Sequence, residues 1–123
     1  MDLGLAGRTA LVLGGSKGIG RAICRELAAA GANVAIVART PATIDEAVGE
    51  MQALGVRAAG IAADLFDPAS YPRVVDECTR ALAAPDIAIY NLDPPPPGTF
   101  ADVDEAQLAE AFRIVRAVAG RLP

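Results

Sequence analysis

Leu13-Gly14-Gly15-Ser16-Lys17-Gly18-Ile19-Gly20 stands between the apolar run Thr9-Ala10-Leu11-Val12-Leu13 and a segment of helical character, Arg21-Ala22-Ile23-Cys24-Arg25-Glu26-Leu27-Ala28. A strand that turns through glycines into a helix leaves backbone N–H groups and the positive end of the helix dipole facing one spot. That spot favours an anion, and the expected one is a nucleotide pyrophosphate. Gly14, Gly18 and Gly20 are spaced G-x-x-x-G-x-G. Gly14 permits the tight turn, Gly18 lets backbone approach the phosphates, and Gly20 lets the helix pack close to the sheet. Glycines also make ordinary turns; the flanking strand and helix are what separate this loop from one.

On either side of the loop, short apolar runs alternate with longer amphipathic segments. Strands are predicted at 9–13, 33–38, 57–63 and 86–91, and helices at 18–30, 41–54, 68–82 and 104–121. Pro41 follows Thr40 and Pro68 follows Asp67, which places proline at a first helical position behind a capping residue. Gly31 and Gly55 fall where a left-handed helix end is expected. Strands separated by helices imply parallel pairing through right-handed crossovers, so residues 1–123 are expected to form one α/β domain with a doubly wound parallel sheet. Pro94-Pro95-Pro96-Pro97-Gly98 reads as a stiff loop between the fourth strand and the last helix.

Composition narrows the function classes. A 53% hydrophobic chain with 4% aromatics suits helices packed on a parallel sheet and argues against disorder. A net charge of −4 without a long basic run disfavours nucleic acid or an anionic membrane as the main partner. Positive charge is instead local, at Lys17, Arg21 and Arg39. Cys24 and Cys78 lack metal-type or redox-type spacing and read as reduced thiols, in the core or on the surface. Neither a signal peptide nor a membrane span is discernible, and the cytoplasm is the expected compartment.

The loop Leu13–Gly20 resembles the cofactor fingerprint of the short-chain dehydrogenase/reductase family, T-G-x-x-x-G-[IL]-G, with Leu13 in place of the threonine. That resemblance implies a Rossmann-like sheet of strand order 3-2-1-4. Ala38-Arg39-Thr40 closes the second strand, where an acidic residue would accept from the adenosine ribose hydroxyls and repel a 2′-phosphate. Arg39, with Lys17, offers that phosphate charge-assisted hydrogen bonds of roughly 1.5–3 kcal/mol each. NADP(H) is therefore the expected cofactor; the other reading of Arg39 is a solvated strand-end charge. Asp64-Leu65 stands where the family holds adenine, the aspartate accepting from the amino group and the next residue's backbone completing the site. Asp86-Ile87-Ala88-Ile89-Tyr90-Asn91-Leu92-Asp93 is similar to the family's D-[IV]-[LV]-V-N-N-A-G at Asp86 and Asn91. Tyr90, Leu92 and Asp93 depart from it. A carboxylate at Asp93 weakens binding of an anionic cofactor unless the loop shifts or the side chain turns outward. The implied cofactor site comprises Gly14, Ser16, Lys17, Gly18, Ile19, Gly20, Arg39, Asp64, Leu65 and Asn91.

Catalysis in the family relies on a tyrosine with a lysine four residues later, a serine, and often an asparagine on the helix after the fourth strand. A phenol needs a nearby cation to lower its pKa before it can shuttle a proton near neutrality. Here Tyr71 is followed four positions on by Val75 and Tyr90 by Pro94, Lys17 is the only lysine, and Val115 stands where the asparagine is expected. The resemblance covers this whole chain but only the first half of a family domain, so no catalytic residue is assigned. With no histidine and no Cys/His cluster, no triad or metal site is assigned either, and Asp102, Asp104 and Glu105 read as helix-start charges. The expected function is the NADP(H)-binding part of an oxidoreductase, most similar to the 3-oxoacyl-carrier-protein-reductase-like branch. Its parent reaction is hydride transfer between NADPH and a carbonyl or alcohol. The alternatives are a non-catalytic structural or regulatory subunit beside a complete enzyme, and a degenerate α/β module that binds nothing. A fourth strand left as an open edge points to a homo-oligomer or a second family-like subunit as partner.

Overall fold

The computed structural model describes residues 2–65, 67, 69–91, 105, 106, 109 and 116. Strands β1 (Thr9–Leu13), β2 (Asn33–Ala38), β3 (Ala58–Ala62) and β4 (Ile87–Tyr90) alternate with helices α1 (Gly18–Ala29), α2 (Pro41–Ala53) and α3 (Ser70–Ala81). All strand pairs are parallel, in the order β3-β2-β1-β4. The expected doubly wound α/β topology is therefore present.

Period-two alternation of the strand side chains divides the interior in two. Ala10, Val12, Val34 and Ile36 face Cys24 and Ala28 of α1 and Ala47 and Met51 of α2. Leu11, Leu13, Ala35 and Val37 face Tyr71, Val74, Val75 and Cys78 of α3 on the other side. Every residue of β1 is buried, which is why its sequence is an unbroken apolar run after Thr9 rather than an alternating one.

The glycine helix ends follow the expected punctuation, and the two expected N-caps depart from it. Gly31 and Gly55 take φ of 93° and 92°, and their N–H groups close α1 and α2 on Ala28 and Gln52. Helix α2 starts at Pro41 behind Thr40, although the Thr40 side chain makes no cap; Thr43 Oγ1 instead donates to the Thr40 carbonyl at 3.0 Å. Helix α3 begins at Ser70, two residues later than predicted. The Asp67 carboxylate accepts the Ala69 N–H at 3.0 Å, and the Asp67 carbonyl accepts the Ser70 N–H at 3.0 Å and its hydroxyl at 2.7 Å. The aspartate thus builds a turn ahead of the helix instead of capping it, and Pro68 lies outside the described residues. Of the predicted 104–121 helix, Glu105, Ala106, Ala109 and Arg116 are helical and the rest falls outside the described residues. Among the described residues, no helix is long and apolar enough to cross a membrane.

Asp86 joins β4 to the central strand by main chain and side chain together. Its N–H donates to the Thr9 carbonyl at 2.9 Å, and its carboxylate accepts the Thr9 N–H at 2.9 Å, with the Arg8 guanidinium 3.9 Å away. Replacing Asp86 by Ala is expected to cost about 1–2 kcal/mol in urea unfolding, because a strand-end N–H loses its acceptor. Asp86→Asn keeps an acceptor oxygen and should lose less; an equal loss in both variants contradicts the assignment.

Candidate functional site

The strand register brings the loop ends into one row. Leu13 lies opposite Val37 and Tyr90, and Ala38 opposite Ala62, so Gly14, Arg39, Asp64 and Asn91 emerge along the same carboxyl edge of the sheet. Three main-chain bonds carry the ladder past the strands: Gly14 N–H to Val37 O at 2.8 Å, Ala63 N–H to Ala38 O at 2.8 Å, and Asn91 N–H to Leu13 O at 2.9 Å. The strand order reverses between β1 and β4, the position at which open α/β sheets carry their ligand crevice. Gly14 and Asn91 flank that crevice.

Within the loop, Gly14 and Gly18 have φ of 82° and 57°, a left-handed backbone that glycine adopts at little cost. A Cβ at Gly20 would overlap the Gly14 carbonyl oxygen and stand 2.9 Å from Asn91 Nδ2. The close packing expected of Gly20 is present, and its contact is the first glycine of the same loop. Asn91 Nδ2 donates to that carbonyl at 3.4 Å from the other side. A Cβ at Gly18 would meet nothing within 4 Å, so open space lies over the loop backbone.

Lys17 is the N-cap of α1, with extended backbone, no side-chain cap bond and no acidic residue in the first turn. First-turn N–H groups have no partner inside their own helix, so these await an outside acceptor. Lys17 adds positive charge where the dipole is already positive, an arrangement that an anion relieves. Ser16 is 4% exposed and forms the floor of the loop, whereas Ile19 is 73% exposed beside the helix entrance.

Arg39 and Asp64 stand exposed at the ends of β2 and β3. Leu65 is buried, and its carbonyl accepts the Tyr71 hydroxyl. Ser70 Oγ donates to the Asp64 carbonyl at 2.9 Å, which fixes the turn that carries Asp64. Tyr71 is therefore a structural phenol inside the α3 core. Leu92, Asp93, Asp102, Asp104, Val115 and the proline run lie outside the described residues. Among the described residues, no group of three or more metal-ligating side chains gathers.

Arg21 differs from its sequence reading as part of the local positive charge of the loop. Its Nε donates to Glu50 Oε2 at 2.7 Å and its Nη1 lies 3.5 Å from Glu46, while Arg25 donates to the other oxygen of Glu50. Hydrogen bonds from Arg25 and Arg21 hold the Glu50 carboxyl below its ordinary range. Two residues escaped sequence reasoning altogether as parts of the site. A Cβ at Gly15 would stand 2.9 Å from Cys24 Sγ and 3.1 Å from Val12 Cγ1, and the Cys24 thiol donates to the Gly15 carbonyl at 3.7 Å. Burial pushes the Cys24 thiol up to about 12 and the Cys78 thiol up to about 11. Both cysteines are thus core residues, and Cys24 underlies the loop. The adjacent Gly14-Gly15 pair was the one available signal.

Residues 8–116 match the short chain dehydrogenase family. The chain belongs to that family. Among solved structures it is similar to L-sorbose reductase of Gluconobacter frateurii, determined with NADPH and L-sorbose, at 27% identity and a TM-score of 0.85 over 99% of this chain and 48% of that one. A short chain dehydrogenase of Burkholderia cenocepacia, determined with NADP, shows 34% identity and a TM-score of 0.78 over 96% of this chain and 52% of its own. An oxidoreductase of Mycobacterium tuberculosis is 33% identical over 105 residues, which are 85% of this chain and 40% of that protein. The chain spans about half or less of the length of these relatives. The likenesses identify the family without singling out a 3-oxoacyl-carrier-protein-reductase-like branch.

Two outcomes follow from the loop geometry. Gly20→Ala should destabilise the fold by about 1–3 kcal/mol through overpacking against backbone, and Gly18→Ala by about 1 kcal/mol through φ alone. Denaturant titration of both variants checks the order, and a milder Gly20→Ala contradicts it. The raised thiol pKa values favour the neutral form in the folded state, so their stabilisation is complete below the ordinary thiol value of 9.0 and is lost as pH climbs through about 11 to 12. Stability of the wild type should therefore fall more steeply above pH 9 than that of Cys24→Ala; parallel curves contradict the assignment.

Proposed function

We propose that this chain is the NADP(H)-binding part of a short-chain dehydrogenase/reductase. In this reading the pyrophosphate sits at the entrance of α1 against the backbone of Ser16, Lys17, Gly18 and Ile19. The 2′-phosphate lies between Lys17 and Arg39, and adenine lies at Asp64 and Leu65. Asn91 steadies the Gly14 carbonyl beneath the dinucleotide, and Gly20 keeps α1 close enough for its N–H groups to reach. The observation that carries the reading is the α1 entrance, uncapped, free of acid, opened by Gly18 and bearing Lys17. Support comes also from two similar structures solved with NADPH and NADP.

When bound, the dinucleotide supplies the hydride that passes to a carbonyl or returns from an alcohol. The residues of this chain hold and orient it. A Tyr-x-x-x-Lys pair is absent from the sequence, so the expected behaviour is binding without turnover. The likeness to the 3-oxoacyl-carrier-protein-reductase-like branch, cytoplasmic placement, and pairing with a second copy or a second family-like subunit belong to the same proposal.

Fluorescence titration tests it. Wild type should bind NADPH saturably and more tightly than NADH. Arg39→Ala should weaken NADPH about tenfold, the equivalent of one charge-assisted bond, and leave NADH nearly unchanged. No saturable binding of NADPH by the wild type contradicts the function.

A further inference from the structure

Helices α1 and α2 lie on the same face of the sheet and share one apolar cluster, with Cys24 and Ala28 of α1 and Ala47 and Met51 of α2 buried in it and Leu27 and Val48 packed against it. A charged tie crosses the same contact. Glu50, in the third turn of α2, accepts Arg21 on one carboxylate oxygen and Arg25 on the other, and Glu46 one turn earlier lies near the Arg21 guanidinium. The Arg21 and Glu50 side chains are 22% and 27% exposed, against 47% and 34% for the Arg73–Glu77 pair on α3. The Arg21–Glu50 arm is therefore less subject to screening than an ordinary surface pair, whereas Arg25, 48% exposed, is as open to solvent as Arg73.

The two helices joined in this way open onto the two ends of the proposed cofactor site. Helix α1 starts at the glycine loop, and α2 starts directly after Arg39 and Thr40. A dinucleotide bearing a 2′-phosphate engages both ends at once, so its affinity depends on their separation in a way that a ligand held chiefly at one end does not. The tie also occupies Arg21, which otherwise stands in the first turn of α1 beside the phosphates.

We propose that Glu50 is a positioning residue for cofactor selectivity, which binds Arg21 and Arg25 and so fixes the distance between the α1 entrance and Arg39. The proposal rests on the NADP(H) reading above and extends it to a residue outside the glycine fingerprint.

The test measures NADPH and NADH dissociation constants for the full chain, its Glu50→Gln variant and, as a control for loss of an exposed pair, Glu77→Gln, with thermal unfolding of each. Glu50→Gln is expected to weaken NADPH about three- to fivefold and NADH by less than about twofold, the span that one partly shielded pair commands. Glu77→Gln should leave both unchanged. If Glu50→Gln does not fold, the double variant Arg21→Gln/Arg25→Gln removes the same tie from the α1 side and should lower selectivity likewise. Equal weakening of both cofactors, or no change, overturns the proposal. So does tighter binding of both, which would mean that Arg21, once released, serves the phosphates directly. Failure of the wild type to bind NADPH overturns the cofactor reading itself and this inference with it, whereas binding without a Glu50 effect overturns the inference alone.

Discussion

The Gly14 carbonyl oxygen, approached from two sides, is the constraint on which the remaining geometry depends. Helix α1 comes so near at Gly20 that no Cβ fits, and the Asn91 amide donates to the same oxygen across the crevice between β1 and β4. One atom at the end of the central strand thereby sets how far the first helix stands from the sheet and where the fourth strand ends. The Gly20 contact admits no methyl group without moving backbone. A carbonyl so held makes the entrance of α1 a fixed feature rather than a frayed helix end.

Charge is arranged around that entrance against the local preference of the fold. Helix N-termini favour acidic residues and oxygen-bearing caps, yet this one has Lys17 at the cap position and no acid in its first turn. The nearby Arg21 is neutralised by α2, and Lys17 remains at the loop. Departures from local consistency concentrate at functional sites, where a ligand supplies what the protein omits. The left-handed Gly18, with open space above it, gives that ligand access to backbone. Directly beneath, the Cys24 thiol and the missing side chain of Gly15 join the loop to the core.

Sequence periodicity carried most of the architecture because burial dictates it. The buried β1 run, the glycines that close α1 and α2, and the strand–glycine–helix passage each reflect a one-dimensional requirement visible in neighbouring residues. The α3 start was less legible: Asp67 had two local ways to use its oxygens, and the turn prevailed over the cap. Arg21 was misread for a different reason. Its partners Glu46 and Glu50 are on another helix, and sequence spacing encodes no such pairing. The roles of Gly15 and Cys24 were likewise tertiary, since their contact exists only once α1 has folded back over β1. Placement of Arg39 and Asp64 on one edge followed from parallel pairing alone, as Ala38 and Ala62 align in register.

In the proposed mode of binding, the backbone amides at the α1 entrance receive the dinucleotide phosphates. Amide-resolved NMR of uniformly 15N-labelled protein titrated with NADPH tests it most directly. Saturable amide shifts are expected, concentrated at Ser16, Lys17, Gly18 and Ile19 and extending to Arg39, with the β3–α3 core little changed. Shifts that leave the loop untouched while appearing elsewhere on the surface, or no shifts at saturating NADPH, contradict it.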